Sequence, residues 1–167
     1  MKIRKAQTSD LENIMKMYKS CVAGMIKIGI DQWDDTYPDT ETIAQDLENQ
    51  TYYVAEEEEK IIGGINIDQN QDPTYLDINW QDASNQFLVV HRLGVKEENW
   101  GDRIGKALMI FTEELVMKKD LKSIRLDTYS GNPKAMAFYI RLGYRELGVV
   151  NLKPYKNEYY CFEKIIQ

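Results

Sequence analysis

Histidine and cysteine are scarce in this sequence. Among 167 residues there is one histidine, His91, and there are two cysteines, Cys21 and Cys161, which share no metal-binding motif. A His-rich or Cys-rich metal site is therefore excluded, and we expect no metal ion. The two cysteines are expected to be reduced thiols, although the sequence alone leaves a Cys21–Cys161 disulfide open.

Long hydrophobic runs are also absent. No apolar segment reaches the length that spans a bilayer, and the opening residues MKIRKAQTSD contain no apolar signal-peptide core. We therefore expect a cytoplasmic protein without a membrane partner. The formal net charge of −6 argues against a nucleic acid or an anionic membrane surface as the partner, although a local basic patch could still hold an anion.

The hydrophobic pattern predicts a single domain, residues 1–167, with no repeat and no Pro- or Ser-rich linker. In the first half it indicates a strand at 2–6, helices that begin near Leu11 and Glu41, and two strands joined at an acidic turn near Glu58. In the second half, a buried strand, a helix, a strand, a helix and two closing strands follow one another. This order predicts an α/β (α+β mixed) fold in which helices cover a mixed sheet.

A glycine-containing loop, NWGDRIGKALM, lies between the buried strand and the helix that follows it. It is neither a P-loop nor a dinucleotide fingerprint, because only three residues separate Gly101 from Gly105 and Ala107 follows Lys106 where a P-loop has Ser or Thr. The first backbone N–H groups of a helix are unpaired and carry partial positive charge. With Arg103 and Lys106 beside them, these groups predict a cradle for a diphosphate.

Two motifs resemble those of the GNAT superfamily of N-acetyltransferases. The segment HRLGVKEENWGDRIGKAL is similar to its acetyl-CoA motif, and LDTYSGNPKAMAFYIRLGYRELG is similar to the motif that follows. In the second segment five residues fall in register with N-x-x-A-x-x-x-Y-x-x-x-G-[FY]: Asn132, Ala135, Tyr139, Gly143 and Tyr144. The resemblance covers essentially the whole chain and implies a central mixed, mostly antiparallel sheet flanked by helices.

The first motif departs from the family pattern at two positions. Trp100 stands where the family usually has Gln or Arg, and Arg103 stands at the central glycine, whereas Gly101 and Gly105 match. Arg103 must point outward, reach around the phosphates or block them. We favour an outward or phosphate-facing side chain, because the helix behind it is intact.

The resemblance implies roles for individual residues. Backbone groups of Leu93, Gly94 and Val95 would bind the pantetheine arm and the acetyl carbonyl, and Tyr139 would protonate the departing CoA thiolate. His91 is a candidate base for the amine, whereas other members use a Glu through water or no dedicated base. The resemblance also implies a wall of the acceptor site formed by Trp33 and Tyr37. Further contacts to acetyl-CoA are implied for Trp100, Gly101, Asp102, Arg103, Ile104, Gly105, Lys106 and Asn132.

These expectations describe an acetyl-CoA-dependent N-acetyltransferase that acts by direct transfer in a ternary complex. Its acceptor would be a primary amine of a small molecule or peptide, and the acidic balance of the chain favours a cationic acceptor. The alternative is a non-catalytic acyl-CoA-binding module or sensor with the same fold. A homodimer is common in the superfamily and stays open here.

Overall fold

The structure is a computed structural model that describes residues 1–153 and 156–167. The described residues form seven strands and four α-helices. Their bounds are β1 Lys2–Lys5, α1 Leu11–Lys27, α2 Thr40–Glu48, β2 Tyr52–Glu57, β3 Lys60–Asp68, β4 Phe87–Val95, α3 Ile104–Lys118, β5 Ser123–Tyr129, α4 Pro133–Arg141, β6 Arg145–Val150 and β7 Tyr159–Ile165.

The strands form one sheet in the order β1-β2-β3-β4-β5-β7-β6. The pairs β1–β2, β2–β3, β5–β7 and β6–β7 are antiparallel, and β4–β5 is parallel. A mixed, mostly antiparallel sheet flanked by helices was predicted, and it is confirmed. Contacts along the chain divide it into two compact units, one of Met1–Ile67 and His91–Phe111, the other of Asp68–Val90 and Thr112–Gln167.

The first unit contains α1, α2, the strands β1 to β3 and the second half of β4. Glu58 and Glu59, between β2 and β3, have φ values of 47° and 62°, which is the geometry of a two-residue hairpin turn. The predicted acidic turn near Glu58 is therefore confirmed. The apolar faces of α1 and α2 pack with strand residues into a core of Ala6, Ile14, Met17, Tyr18, Ile43, Leu47, Tyr52, Val54 and Ile61.

The second unit contains a polar network that holds the segment before β4 against the sheet. Glu163 on β7 accepts from Arg125 Nε on β5 at 3.2 Å and from the backbone N–H of Gln81 at 2.6 Å. Arg125 also donates to the carbonyl of Asp82 at 2.6 Å. Because both charges are buried and fully engaged, the pair orders a segment whose sequence is polar. Leu76 of that segment is 76% exposed.

Candidate active site

The strand β4 bends at Arg92. Phe87–Val90 pair with β5 in parallel register, and the pairing covers those four residues. Two residues later Arg92 has a φ of 53°, in the left-handed region that non-glycine residues rarely occupy. Such a residue inside a strand interrupts the regular pleat and changes the direction of the backbone that follows. The bend comes immediately before Leu93, Gly94 and Val95, the residues expected to bind the acetyl-CoA arm.

The guanidinium of Arg92 is enclosed by partners from three other elements. It binds both oxygens of Asp46 on α2, with Nε–Oδ2 at 2.9 Å and Nη2–Oδ1 at 2.7 Å. Nη1 donates to the hydroxyl of Tyr37 at 3.3 Å. In the amide orientation that satisfies both of its ends, Asn66 on β3 accepts from Nη2 at 3.0 Å and donates to the carbonyl of Thr51. Arg92 is thus committed to internal partners.

The backbone of Arg92 is also held. The hydroxyl of Tyr18 on α1 donates to the Arg92 carbonyl, and the hydroxyl of Tyr52 on β2 donates to the Tyr18 hydroxyl at 2.7 Å. Burial raises the pKa of both tyrosines above the usual value near 10, so both remain donors at physiological pH. Sequence reasoning missed this cluster of Tyr18, Asp46, Tyr52, Asn66 and Arg92, and its only signal was a charged residue inside an apolar strand.

The residues after the bend are closely packed against α1. A Cβ at Gly94 would lie 2.8 Å from Cε1 of Tyr18, so only glycine fits there. The Val95 carbonyl accepts from Nε1 of Trp100 at 2.9 Å. The carbonyl of Val95 therefore has a partner within the unit. Leu93 is half-buried.

The loop between β4 and α3 turns in left-handed geometry. Gly101 has a φ of 96° and Arg103 a φ of 65°, and α3 begins at Ile104 as predicted. A left-handed backbone costs an arginine about 1–2 kcal/mol and a glycine little, which gives a physical reason for the central glycine of the GNAT pattern. The Arg103 side chain is exposed.

The start of α3 offers unused hydrogen-bond donors. In the part of the chain that the structure describes, no hydrogen bond uses the backbone N–H groups of Gly101, Arg103, Ile104, Gly105 or Lys106. Together with the positive end of the helix dipole, these groups can bind an anion. Asp102 is tied to Asn99 at both its backbone and its side chain, because its N–H donates to the Asn99 carbonyl at 3.2 Å and its carboxylate accepts from Asn99 Nδ2 at 3.3 Å.

Trp100 braces this loop against α1. Its ring lies over Gly24, where a Cβ would stand 2.7 Å from Cη2. The neighbouring Glu97 receives two contacts from α1: Lys27 Nζ at 2.8 Å to its carboxylate, and Ser20 Oγ, which accepts from the Glu97 N–H at 3.0 Å. The expected contact of Trp100 with acetyl-CoA stays a prediction, and 37% of the residue is exposed.

The segment between α1 and α2 contains the two aromatic residues expected at the acceptor site. Trp33 is half-buried and meets Tyr18 edge to face, with ring centroids 5.6 Å apart. Tyr37 reaches β4 through its contact with Arg92. His91, the candidate base, is half-buried on β4 beside Arg92. These residues belong to the first unit together with the loop.

The second unit contains the other predicted site residues, Asn132 and Tyr139. Asn132 caps α4, because its Oδ1 accepts from the N–H of Ala135 at 3.0 Å. Pro133 is the first helical residue, and Gly143 follows the helix with a φ of 85°. An N-cap asparagine, a first-turn proline and a C′ glycine therefore define both ends of α4.

Tyr139 lies on the apolar face of α4 and is 7% exposed. Its ring packs against those of Tyr144 and Phe162 at centroid distances of 5.9 and 6.1 Å. The described residues supply no hydrogen-bond partner for its hydroxyl. Burial, with a smaller contribution from the Asp127 carboxylate, raises the pKa of Tyr139 above its usual value, so the hydroxyl carries its proton at neutral pH.

Residues 11–144 match the sequence profile of the Acetyltransferase (GNAT) family, which is more than half of the chain. The chain belongs to the GNAT family of acetyltransferases. The first motif and the N-x-x-A-x-x-x-Y-x-x-x-G-[FY] pattern from Asn132 to Tyr144 both fall inside the matched region. Among proteins of curated function, none matches this sequence significantly.

Solved structures similar to this GNAT protein share its fold along nearly the whole chain. A protein from Staphylococcus aureus Mu50 is 25% identical with a TM-score of 0.77, and the alignment covers 100% of both chains. A GNAT-family acetyltransferase from Streptococcus agalactiae 2603 is 24% identical with a TM-score of 0.83, over 99% of this chain and 95% of that one. The PaiA N-acetyltransferase of Thermoplasma acidophilum, solved in complex with coenzyme A, is 18% identical with a TM-score of 0.73, over 98% of each chain.

The cysteines of this GNAT protein are unpaired, buried thiols. Burial raises the pKa of Cys21 to about 11, and burial with the Asp127 and Asp72 carboxylates raises the pKa of Cys161 to about 12. Because a thiolate and not a thiol is the nucleophile, neither cysteine is suited to carry an acetyl group.

Within residues 1–153 and 156–167, no group of three or more His, Cys, Asp or Glu side chains could hold a metal ion, and no helix is long and apolar enough to cross a membrane.

Proposed function

We propose that this protein transfers the acetyl group of acetyl-CoA to a primary amine of a small molecule or peptide by direct transfer in a ternary complex. The observation that carries the proposal is the set of unused backbone N–H groups at the start of α3, at Gly101 and from Arg103 to Lys106. Membership of the GNAT family and the coenzyme A complex of the Thermoplasma acidophilum relative support it.

These N–H groups fit a pyrophosphate. They are free of internal acceptors, they stand at the positive end of α3, and the left-handed turn at Gly101 leaves no Cβ over the backbone. The exposed side chains of Arg103 and Lys106 add two cations to an otherwise acidic protein. We therefore propose that Arg103, in place of the usual glycine, contacts the phosphates from the solvent side. Asn132 is a further proposed contact to the co-substrate.

The reaction forms a C–N bond between the amine and the acetyl carbon, and it breaks the C–S bond to CoA. In the proposal, backbone N–H groups near Leu93 and Gly94 stabilise the carbonyl oxygen as it gains charge. Tyr139 gives its proton to the sulfur that leaves, and His91 or water takes the proton that the amine loses. Trp33 and Tyr37 wall the acceptor, for which the net charge of −6 favours a cationic amine. We propose that the protein acts in the cytoplasm, where thiols are kept reduced.

Calorimetric titration with acetyl-CoA, followed by a thiol-release assay across a panel of amines, tests the proposal. Wild type, Arg103→Gly and Arg103→Ala are titrated side by side. Both variants remove the cation, and only the glycine removes the cost of the left-handed backbone conformation. We expect micromolar binding by the wild type, weaker binding by both variants, and thiol release that depends on the amine.

The other outcomes separate the alternatives. Binding without thiol release from any amine would favour an acyl-CoA-binding module over an enzyme. Tighter binding by Arg103→Gly than by the wild type would show that the arginine obstructs the site. Absence of binding by all three proteins would contradict the proposed function.

A further inference from the structure

We propose that Arg92 is a positioning residue for acetyl transfer. In this proposal Asp46 and the Tyr18 hydroxyl hold Arg92 in its left-handed conformation, and Arg92 thereby sets the direction of the Leu93–Val95 backbone. The proposal rests on the proposed function, since the direction of that backbone affects the rate of transfer only if the backbone binds the thioester.

The first argument is that Arg92 is held at both ends. Its carbonyl accepts from Tyr18, and its guanidinium forms a two-point contact with Asp46 and further contacts with Tyr37 and Asn66. A φ of 53° is unfavourable for arginine, and such a conformation persists only where surrounding contacts over-determine it. The side chains of the Arg92–Asp46 ion pair are only 14% and 10% exposed, so water competes weakly for the pair.

The second argument is that the guanidinium is already used. The planar fork of arginine has five N–H donors, and the contacts with Asp46, Tyr37 and Asn66 occupy most of them. Arg92 is therefore poorly placed to bind a carboxylate of the acceptor. A charged side chain that is enclosed in this way acts through the backbone that it fixes.

The third argument is position. The bend lies one residue before Leu93, and Tyr37 belongs to the same segment as Trp33, between α1 and α2. One guanidinium thus ties the proposed thioester-binding backbone to the proposed acceptor wall. A displacement of about 1 Å in a positioned group can lower a rate about 100-fold, so loosening this clamp is expected to slow transfer.

The test compares Arg92→Gly, Arg92→Lys and Asp46→Asn with the wild type. Glycine accepts the left-handed backbone without cost and removes only the anchor, whereas lysine keeps the charge but lacks the fork. Glu163→Gln is the matched control, because it disturbs the buried Arg125–Glu163 pair of the second unit. For each protein, kcat, the acetyl-CoA Kd, the melting temperature and amide hydrogen exchange at residues 93–95 are measured.

We expect Arg92→Gly to lower kcat about 100-fold, with much less effect on the Kd, because the anion-binding loop is untouched. Exchange at residues 93–95 should accelerate in Arg92→Gly and Asp46→Asn, and Arg92→Lys should recover part of the activity. Glu163→Gln should lower the melting temperature but keep kcat.

Unchanged kcat in Arg92→Gly, unchanged exchange at residues 93–95, or an equal loss of kcat in Glu163→Gln would overturn the proposal. If the wild type acetylates no amine, the proposed function has failed, and the exchange measurement still decides whether Arg92 fixes the strand.

Discussion

The indole of Trp100 rests directly on the backbone of Gly24, so closely that a methyl group at position 24 would stand 2.7 Å from Cη2. The same ring donates to the Val95 carbonyl at 2.9 Å. A single side chain thus joins the helix α1, the end of β4 and the loop before α3. The glycine in the last turn of α1 is explained by this contact, since glycine is otherwise unfavourable in a helix.

We predict that Gly24→Ala weakens acetyl-CoA binding about tenfold, equivalent to about 1.4 kcal/mol. The added methyl group must displace the ring of Trp100, and the loop that Trp100 braces carries the proposed pyrophosphate donors. Stability should change little, because the gain of about 1 kcal/mol in helix propensity offsets the strain. Calorimetric titration and urea unfolding measure the two effects.

The control for this prediction is Ala23→Gly at the next position. Ala23 is exposed on α1, and its replacement by glycine weakens the helix by about 1 kcal/mol without contact to Trp100. This variant should lose stability and keep its affinity. Equal affinities for Gly24→Ala and the wild type would contradict the bracing role of Trp100.

Arg103 provides a prediction about stability. Because its φ is 65°, Arg103→Gly should be more stable than Arg103→Ala by about 1 kcal/mol, since only alanine keeps the cost of a left-handed backbone. Both variants lose the charge of Arg103, so the difference between their free energies of unfolding measures the cost of the left-handed backbone alone. Urea unfolding of both proteins measures it, and equal stabilities would show that the loop relaxes when the side chain is removed.

Local features of the sequence predicted local features of the structure. The acidic turn near Glu58 and the helix that follows the glycine-containing loop each depend on residues a few positions apart, and both are confirmed. The family resemblance likewise predicted the sheet correctly. Such features are encoded within one or two turns of chain, where side-chain chemistry and backbone geometry are directly linked.

Contacts between distant residues could not be predicted in this way. Asp46 and Arg92 lie 46 positions apart, and nothing in either neighbourhood identifies the other as its partner. The contacts of Trp100 with Gly24 and Val95 likewise depend on how α1 packs, whereas its contact with acetyl-CoA stays a prediction that rests on its place in a motif. Leu76 is apolar and yet 76% exposed, because a residue's hydrophobicity does not decide which side of a short turn faces the core.

We predict that Tyr139→Phe lowers kcat about 10- to 100-fold and leaves the acetyl-CoA Kd unchanged. The effect should lie at the lower end of the range for general acids, because burial raises the pKa of Tyr139 above that of a thiol and makes the proton transfer uphill. For the same reason, Tyr139 should add no falling limb to the wild-type pH profile of kcat below about pH 10. A pH series of the thiol-release assay measures both effects.

Tyr144→Phe is the control for Tyr139→Phe. The Tyr144 hydroxyl is buried without a hydrogen-bond partner among the described residues, next to the ring of Tyr139. Its removal should keep kcat and should stabilise the protein by about 1 kcal/mol, because an unsatisfied buried hydroxyl is lost. If both variants lower kcat equally, the aromatic packing and not the proton of Tyr139 is responsible.

The buried thiols make the protein sensitive to alkali. In the unfolded chain a cysteine loses its proton near pH 8.5–9, whereas the folded protein keeps the proton of Cys21 until about pH 11 and that of Cys161 until about pH 12. Between these values the unfolded state binds fewer protons than the folded state. The free energy of unfolding should therefore be constant up to about pH 8 and should fall above pH 9.

Each thiol should contribute a fall approaching about 1.4 kcal/mol per pH unit once the pH exceeds 9. In Cys21→Ala the cavity lowers stability at every pH, but the alkaline slope should be shallower by about that amount. Urea unfolding at pH 7, 8, 9 and 10 distinguishes the two effects, because a cavity shifts the curve and a lost titration changes its slope. Parallel curves for Cys21→Ala and the wild type would mean that Cys21 ionises freely in the folded protein, and a nucleophilic role for that thiol would then have to be reconsidered.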